Sequence, residues 1–418
     1  MSHRRRSVLQ ALGAMVPSSI LLGSAMTFAS NASESDSLPP FAVGFKDWQA
    51  QTGGLADWTT DGIQVASDGT LRLDPDTLKQ EQDPYAAGSY EGGNFYNGGS
   101  YWVGEAVSPV VAAGFGFQGV MASWNADTPA GTWLETLVRA ERTPGVWTRW
   151  YNIGIWAADT STIQRHSLKE EEDDEGIVYT DLLVLKETPQ GGLSYQVKIR
   201  LFSQDAAASP RVRRVGAALS NNPVRPEQLV TGSRQYWGTE MTVPTCSQMV
   251  YPDGGEVWCS PTSLAMVLAY WRRGAPVCEP GVRAAVAGVY DWIYDGHGNW
   301  VFNTAHAATH GLNAVVARFT SFADLEPWIG AEVPVIFSFA WKEGELDGAP
   351  LPKSNGHLAV LAGFDDQGDP IVNDPAAATD RDVRRVYPRG QLERLWLGYT
   401  GGTVYLVHPP DWSVPALG

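Results

Sequence analysis

Between residues 193 and 201 apolar and polar positions alternate without a break, Leu193, Tyr195, Val197, Ile199 and Leu201 against Ser194, Gln196, Lys198 and Arg200. Successive side chains of a strand point to opposite faces, so the run predicts a strand with one buried and one wet face. Shorter runs at 133–139, 150–156 and 179–185, separated by Gly, Pro and Asp clusters, carry the same texture from residue 41 to residue 219. They have no long helical periodicity between them, and together they predict an antiparallel β-sandwich.

The texture changes after residue 238. Leu264, Val267, Leu268 and Trp271 fall at helical spacing over 261–273. Pro261 suits a first turn, where its missing N–H would be unpaired in any case, and Gly274 suits the exit. Residues 303–310 also read as helix, and 333–339, 357–364 and 403–407 as strands. Asn221, Asn222, Pro223, Pro226 and Gly232 crowd the stretch 220–238, which reads as a linker. The expected fold class is therefore α+β: a β-sandwich over 41–219, the linker, and a mixed unit over 239–412.

Length and composition support two folded units. The 418 residues exceed one ordinary domain of about 100–200 residues. With 44% hydrophobic residues, 18% charged and 17 Trp, the chain is globular in composition. A formal charge of −16 repels phosphate backbones and anionic headgroups, so nucleic acid is not an expected partner.

The first residues read as an address. Arg4, Arg5 and Arg6 precede Ser7, Val8 and Leu9, an apolar run continues through Leu22, and small residues follow around Ala25 to Ala32. This predicts a twin-arginine signal peptide over 1–32, cleaved near Ala29 or Ala32. Gly13, Pro17, Ser18 and Ser19 interrupt a run already short of the ~20 residues that a membrane span needs. A polar tether over 33–40, closed by Pro39 and Pro40, comes next. The expectation is a secreted or extracytoplasmic protein with no membrane span in its mature form.

Three cysteines is an odd number for an exported chain. Cys246 paired with Cys278 would leave Cys259 free, and three reduced, buried thiols is the alternative. Cys259 stands just before the 261–273 helix, where unpaired N–H groups and the positive end of the helix dipole favour a sulfur anion. A small cysteine that merely precedes a helix is the plainer reading.

A thiolate nucleophile needs a base. His3 lies in the signal, and His166 and His408 have no partner motif. His306 and His310 share a helical face at i, i+4, but no Glu follows His306 and no third ligand declares itself, so no metal is expected there. The acidic run 170–175 lacks the interleaved Gly and Asn of a calcium loop and reads as a solvated loop. No cofactor is called for.

His357 opens an apolar strand that ends in the turn-rich 365–369, before Ile371, Val372, Asn373 and Asp374. This is a hairpin. A turn centred midway would set Asp374 across from His357, with Cβ atoms about 4.5–5.5 Å apart, and a later turn would displace the two along the ladder. Asn373 points to the opposite face, so only one of the two can orient the imidazole. A hairpin with solvent-facing polar ends is the alternative.

Four stretches, 243–248 (VPTCSQ), 258–266 (WCSPTSLAM), 355–360 (NGHLAV) and 372–375 (VNDP), resemble the papain-like cysteine peptidases that process bacteriocin leader peptides. They come in that family's order. The resemblance spans 240–409 and implies a papain-like cysteine peptidase domain. It implies Cys259 as nucleophile, His357 as general base, Asp374 as the residue orienting His357, and Gln248 as oxyanion-hole donor. Its expected substrate is a peptide or protein. Ser260 stands where most relatives carry Gly, and the departure implies a Cβ that crowds the substrate or the oxyanion hole. The N-terminal unit resembles the β-domain accompanying this peptidase in exported proteins. Its cluster of Tyr90, Phe95, Tyr96, Tyr101 and Trp102 would serve either core packing or a cell-wall or carbohydrate contact. The rival readings are acyl transfer by the same thiol and a degenerate peptidase kept as a binding module.

Overall fold

A computed structural model describes residues 40–85, 89–90, 93–169, 171–186, 190–221, 230–273 and 278–417. The expected signal peptide over 1–32, the expected tether up to residue 39, residues 222–229 of the expected linker and the expected helix exit at Gly274 lie outside the described residues.

The N-terminal unit is built from antiparallel sheets, one of seven strands and one of eight, with a small two-stranded piece. The alternating run lies in strand Gly192–Ser203, which pairs with Thr132–Thr143 on one side and Ser100–Val107 on the other. Tyr195, Val197, Ile199 and Leu201 are fully buried and share one core with Val120 and Val215 of the other sheet. The opposite face is less wet than the alternation predicts. Gln196 is buried there, donating from Nε2 to the Ser108 carbonyl at 2.7 Å while its Oε1 accepts from Arg139.

One further expectation changes, and for part of the aromatic cluster one of the two readings stands. The run 179–185 is a hairpin, not one strand: Gly176–Tyr179 and Leu182–Leu185 pair antiparallel about Thr180, whose φ is 60°. The Asp181 side chain is drawn instead to another part of the chain. Phe95, Tyr96 and Tyr101 are buried against Trp133 and Phe202, so these three rings pack the unit and offer no face to a sugar. The acidic run is held at the surface by cations, with Arg149 bridging Glu171 and Asp173 at 2.7 Å each.

Among the described residues the C-terminal unit has one antiparallel sheet with five α-helices. Its strands are β1 (Asn313–Arg318), β2 (Val335–Trp341), β3 (Ser354–Phe364), β4 (Pro370–Asn373), β5 (Arg384–Val386) and β6 (Thr403–His408). Their order is β1-β6-β2-β3-β4-β5, and Thr239–Glu240 adds a short pairing to β3. The helices are α1 (Cys259–Arg272), α2 (Cys278–Val289), α3 (Trp300–Thr309), α4 (Phe322–Gly330) and α5 (Arg389–Thr400). α1 starts two residues earlier than its apolar spacing predicts and stops at Arg273, which takes the left-handed conformation. It packs on β3, where Ser263 Oγ donates to the Leu358 carbonyl at 3.0 Å.

The two units share a continuous apolar core, with Trp124 and Trp156 of the first packing on Phe302 of α3. β1 lies at the edge of its sheet, where unpaired N–H and C=O groups would otherwise face outward. Strand Gly119–Asp127 covers that edge with side chains. The Asn125 carboxamide donates to the Ala314 carbonyl at 2.6 Å and accepts from the Ala314 N–H at 3.1 Å, standing in for a peptide group of a neighbouring strand. The end of the linker is also packed. Glu326 of α4, almost fully buried, accepts from the Ser233 N–H at 3.0 Å, Trp237 Nε1 at 2.9 Å and Arg389 at 2.9 Å.

Asn125→Ala leaves a buried N–H and a buried C=O without partners, and each such group costs ~1–3 kcal/mol. The expected result is a loss of ~2–4 kcal/mol in urea denaturation, read by a fall in midpoint at unchanged slope.

Candidate active site

Cys259 is the first residue of α1 and is partly exposed. Its neighbours 255–257 form a 3-10 turn that delivers the chain to the helix. Cys246 and Cys278 are disulfide-bonded, with Cα atoms 5.5 Å apart, so Cys259 is the free thiol. The bridge ties the segment just before Gln248 to the start of α2.

His357 is buried in β3, opposite Phe339 of β2. Phe339 and Trp341 meet it edge-on, with ring centroids 5.4 and 5.5 Å away. Its Nε2 is 2.8 Å from Asp374 Oδ1, and the Cys259 side chain lies near enough to the ring to favour its charged form. Since Nε2 faces the carboxylate, Nδ1 is the nitrogen left for the sulfur. The hairpin register explains how Asp374 arrives. β3 and β4 pair Val360 with Asn373, with an irregularity between Leu361 and Gly363, so the turn sits later than the midpoint. Asp374 reaches His357 from one step further along the same face, as a diagonal rather than a directly opposed neighbour.

Asp374 is fully buried and fully bonded. Its Oδ1 also accepts from the Ala376 N–H at 2.9 Å, and its Oδ2 accepts from the Tyr387 hydroxyl at 2.7 Å. Burial works to raise its pKa, but the charge of His357 and the hydrogen bonds from His357, Tyr387 and Ala376 outweigh it and hold the carboxyl below its ordinary value. For His357 burial works against the charged ring. The Asp374 charge and hydrogen bond, with a further contribution from Cys259, override it and raise the imidazole to about 10. Asn373 faces the other way, with Nδ2 donating to the Val243 and Pro244 carbonyls at 3.1 and 3.2 Å.

Gln248 begins a 3-10 turn, 248–250, packed on the turn that leads to Cys259. Its N–H donates to the Pro375 carbonyl at 2.8 Å, and its Nε2 donates to the Gly255 carbonyl at 2.7 Å. One of the two Nε2 protons is thus committed, and the second remains for a ligand. Gly255 is required here: a Cβ would collide with the Gln248 carbonyl oxygen. Ser260, by contrast, does not crowd the cleft. It is buried, and its Oγ lies 3.0 Å from the Tyr405 hydroxyl in β6.

The structure hydrogen-bonds His357 to Asp374, sets Cys259 beside the imidazole, and places Gln248 on a turn packed against the one that leads to the thiol. It also adds residues that the sequence pattern did not single out. His297 packs on Trp258, ring centroids 6.1 Å apart, and Tyr294 of the same loop has its pKa raised by burial, with a smaller contribution from the nearby Cys259 side chain. Burial lowers His297 to about 4, so it is neutral at ordinary pH. A Cβ at Gly296 would run into the Tyr294 ring, so the glycine lets this tyrosine lie back over the loop. The pairing of a lone Tyr and His with Gly296 and Gly298 was the one signal available in the sequence. His306 and His310 do face each other, Nε2 to Nε2 at 3.3 Å, on the far part of α3. Among the described residues no group of three or more metal-ligating side chains comes together.

Residues 44–220 match the family model described as Peptidase C39 N-terminal domain, and residues 240–404 match that described as Peptidase_C39 like family. No curated protein matches the chain. Among solved structures, a C39-like peptidase from Bacillus anthracis is 20% identical, covering 43% of this chain and 98% of its own, at a TM-score of 0.30. A structure of carbohydrate-binding modules of the β-sandwich superfamily is 13% identical over 40% of this chain and 58% of its own, at a TM-score of 0.19.

The raised His357 and lowered Asp374 fix the sign of the pH dependence. The His357 contribution to stability is complete below its ordinary 6.5 and is lost as pH rises through about 10, while that of Asp374 is present above its ordinary 3.8 and is lost on acidification. The expected outcome in NMR titration is a His357 ring that changes charge near pH 10 in the native chain and more than one unit lower in Asp374→Asn. The stability gap between the two proteins is then widest between pH 3.8 and 6.5.

Proposed function

We propose that this chain, which matches the Peptidase_C39 like family over residues 240–404 and the Peptidase C39 N-terminal domain over 44–220, is a cysteine peptidase that hydrolyses peptide bonds through Cys259, His357, Asp374 and Gln248. We read its two units as a β-sandwich and a papain-like domain, and the twin-arginine address as directing it out of the cytoplasm. One observation carries the reading. A partly exposed thiol at a helix start lies beside a buried imidazole whose Nε2 is held at 2.8 Å by a fully buried carboxylate.

Each residue has a physical task in this reading. The carboxylate keeps the ring charged and fixes its orientation, so that an imidazolium stands beside a sulfur anion. The anion attacks the scissile carbonyl. The developing oxyanion is met by the uncommitted Nε2 proton of Gln248 and by the Cys259 N–H, which has no partner inside the helix. His357 protonates the leaving amine, and then takes a proton from the water that releases the acyl-enzyme. Ser260, turned toward Tyr405, leaves the backbone at the nucleophile open, which supports activity despite the departure from glycine.

Incubation of the full chain with a peptide library, read by mass spectrometry, tests the proposal. Cleavage is expected from the native chain and none from Cys259→Ala. Gln248→Ala is expected to lose ~10²–10³ in kcat, the usual effect of removing an oxyanion donor. In H₂¹⁸O each new C-terminus should carry one heavy oxygen. Products joined to an added amine, without heavy oxygen, would mean acyl transfer, and an uncleaved library with a slowly alkylated Cys259 would mean a degenerate peptidase.

A further inference from the structure

The loop that carries Tyr294 and His297 runs from the end of α2 to the start of α3, and much of what holds it comes from the N-terminal unit. At its entry Arg165, 4% exposed, donates from Nη1 to the Ala287 carbonyl at 2.8 Å. Its Nε and Nη2 meanwhile grip the Ala157 and Ala158 carbonyls of its own unit at 2.9 and 3.0 Å. At the turn itself, the Trp292 N–H donates to the Arg165 carbonyl at 3.1 Å. Fully buried Asp291 is the hub there. Its Oδ1 accepts from Ser167 N–H across the boundary at 2.9 Å and from the Ile293 and Tyr294 N–H groups at 3.2 and 3.1 Å, and its Oδ2 accepts from Asn299 at 2.8 Å. At the exit the Asp181 carboxylate caps α3, taking the Trp300 and Val301 N–H groups at 2.6 and 3.0 Å.

These three holds act on one face of the site only. The thiol and imidazole are placed by different parts: the β3–β4 hairpin, Tyr387, the rings of β2, and the Gln248 segment with its disulfide. Among the described residues, none of these hydrogen-bonds to the N-terminal unit. The wall beside Cys259 therefore answers to the N-terminal unit, while the reacting pair answers to the C-terminal one.

We infer that the N-terminal unit is a working part of the active site, in which Arg165 and Asp181 are positioning residues that hold the 290–299 loop against Cys259 and so set how a peptide is bound. The inference rests on the peptidase reading for its substrate, and on geometry alone for the loop. Misplacing a substrate-contacting wall by about 1 Å costs up to ~10² in catalysis, and the loss should fall on peptide binding, not on the thiol.

The test compares the full chain with Arg165→Ala and Arg165→Lys, and with Asp181→Ala as a second release at the loop's other end. Hydrogen exchange followed by mass spectrometry should show faster exchange over 290–300 in Arg165→Ala, with 355–360 and 372–376 unchanged. Alkylation of Cys259 by iodoacetamide should stay within about 2-fold of the native rate, because the small reagent needs only the thiol and its imidazole. KM for the best library peptide should rise ~10-fold or more with a smaller change in kcat, and Lys should restore part of it. Unchanged exchange over 290–300, or alkylation falling in step with peptide turnover, would overturn the inference. If Arg165→Ala does not fold, Asp181→Ala decides by the same readouts. If the native chain cleaves no peptide, the peptidase reading fails, and exchange with alkylation still decides whether the N-terminal unit holds the loop.

Discussion

The contact on which the site depends is the buried one between His357 and Asp374. Neither group is stable as an ion in an apolar interior, and each is made so by the other and by the donors around the carboxylate. The turn that brings Asp374 does three things with three consecutive residues. Asn373 faces back to fasten 243–244, Asp374 faces the imidazole, and the Pro375 carbonyl receives the Gln248 N–H. The orientation of the ring and the seat of the Gln248 amide are thus one local structure, and disturbing either disturbs the other.

The second constraint is the joint between the units. The Asn125 carboxamide, the Asp181 cap on α3 and the ring of Phe302 between Trp124 and Trp156 make the junction a core in its own right. The N-terminal unit completes a sheet edge and a helix end that the C-terminal unit leaves open. A linker crowded with Pro and Asn suggests loose tethering, but beyond the undescribed 222–229 it is anchored on Glu326 by Ser233 and Trp237.

How much of this was legible follows from the range of each interaction. The thiol at a helix start and the hairpin behind His357 are local patterns, and both stand in the structure, the helix starting two residues earlier and the turn sitting later than the spacing put them. The register was readable only to within a step, because an irregularity between Leu361 and Gly363 leaves no mark in composition. Strand face is preserved over a shift of two, so Asp374 still meets His357. What was not legible is long-range. Tyr294 and His297 sit in a loop with no periodicity, placed by Ser167 from 124 residues away. The helix α4 carries Pro327 in its interior, which reads locally as a breaker. The hairpin at Thr180 looked like one continuous strand, because its turn uses a left-handed threonine rather than a glycine.

The disulfide between Cys246 and Cys278 sits only two residues from Gln248, while the remaining thiol is the proposed nucleophile. The two sulfur demands are opposed. A reducing bath that keeps Cys259 from being oxidised also opens the clasp beneath the Gln248 segment, and an oxidant that closes the clasp threatens Cys259. With three thiols in one folding chain there are three ways to pair them, and a single one leaves the nucleophile free. The protein is therefore suited to surroundings oxidising enough to seal one pair and mild enough to spare the third.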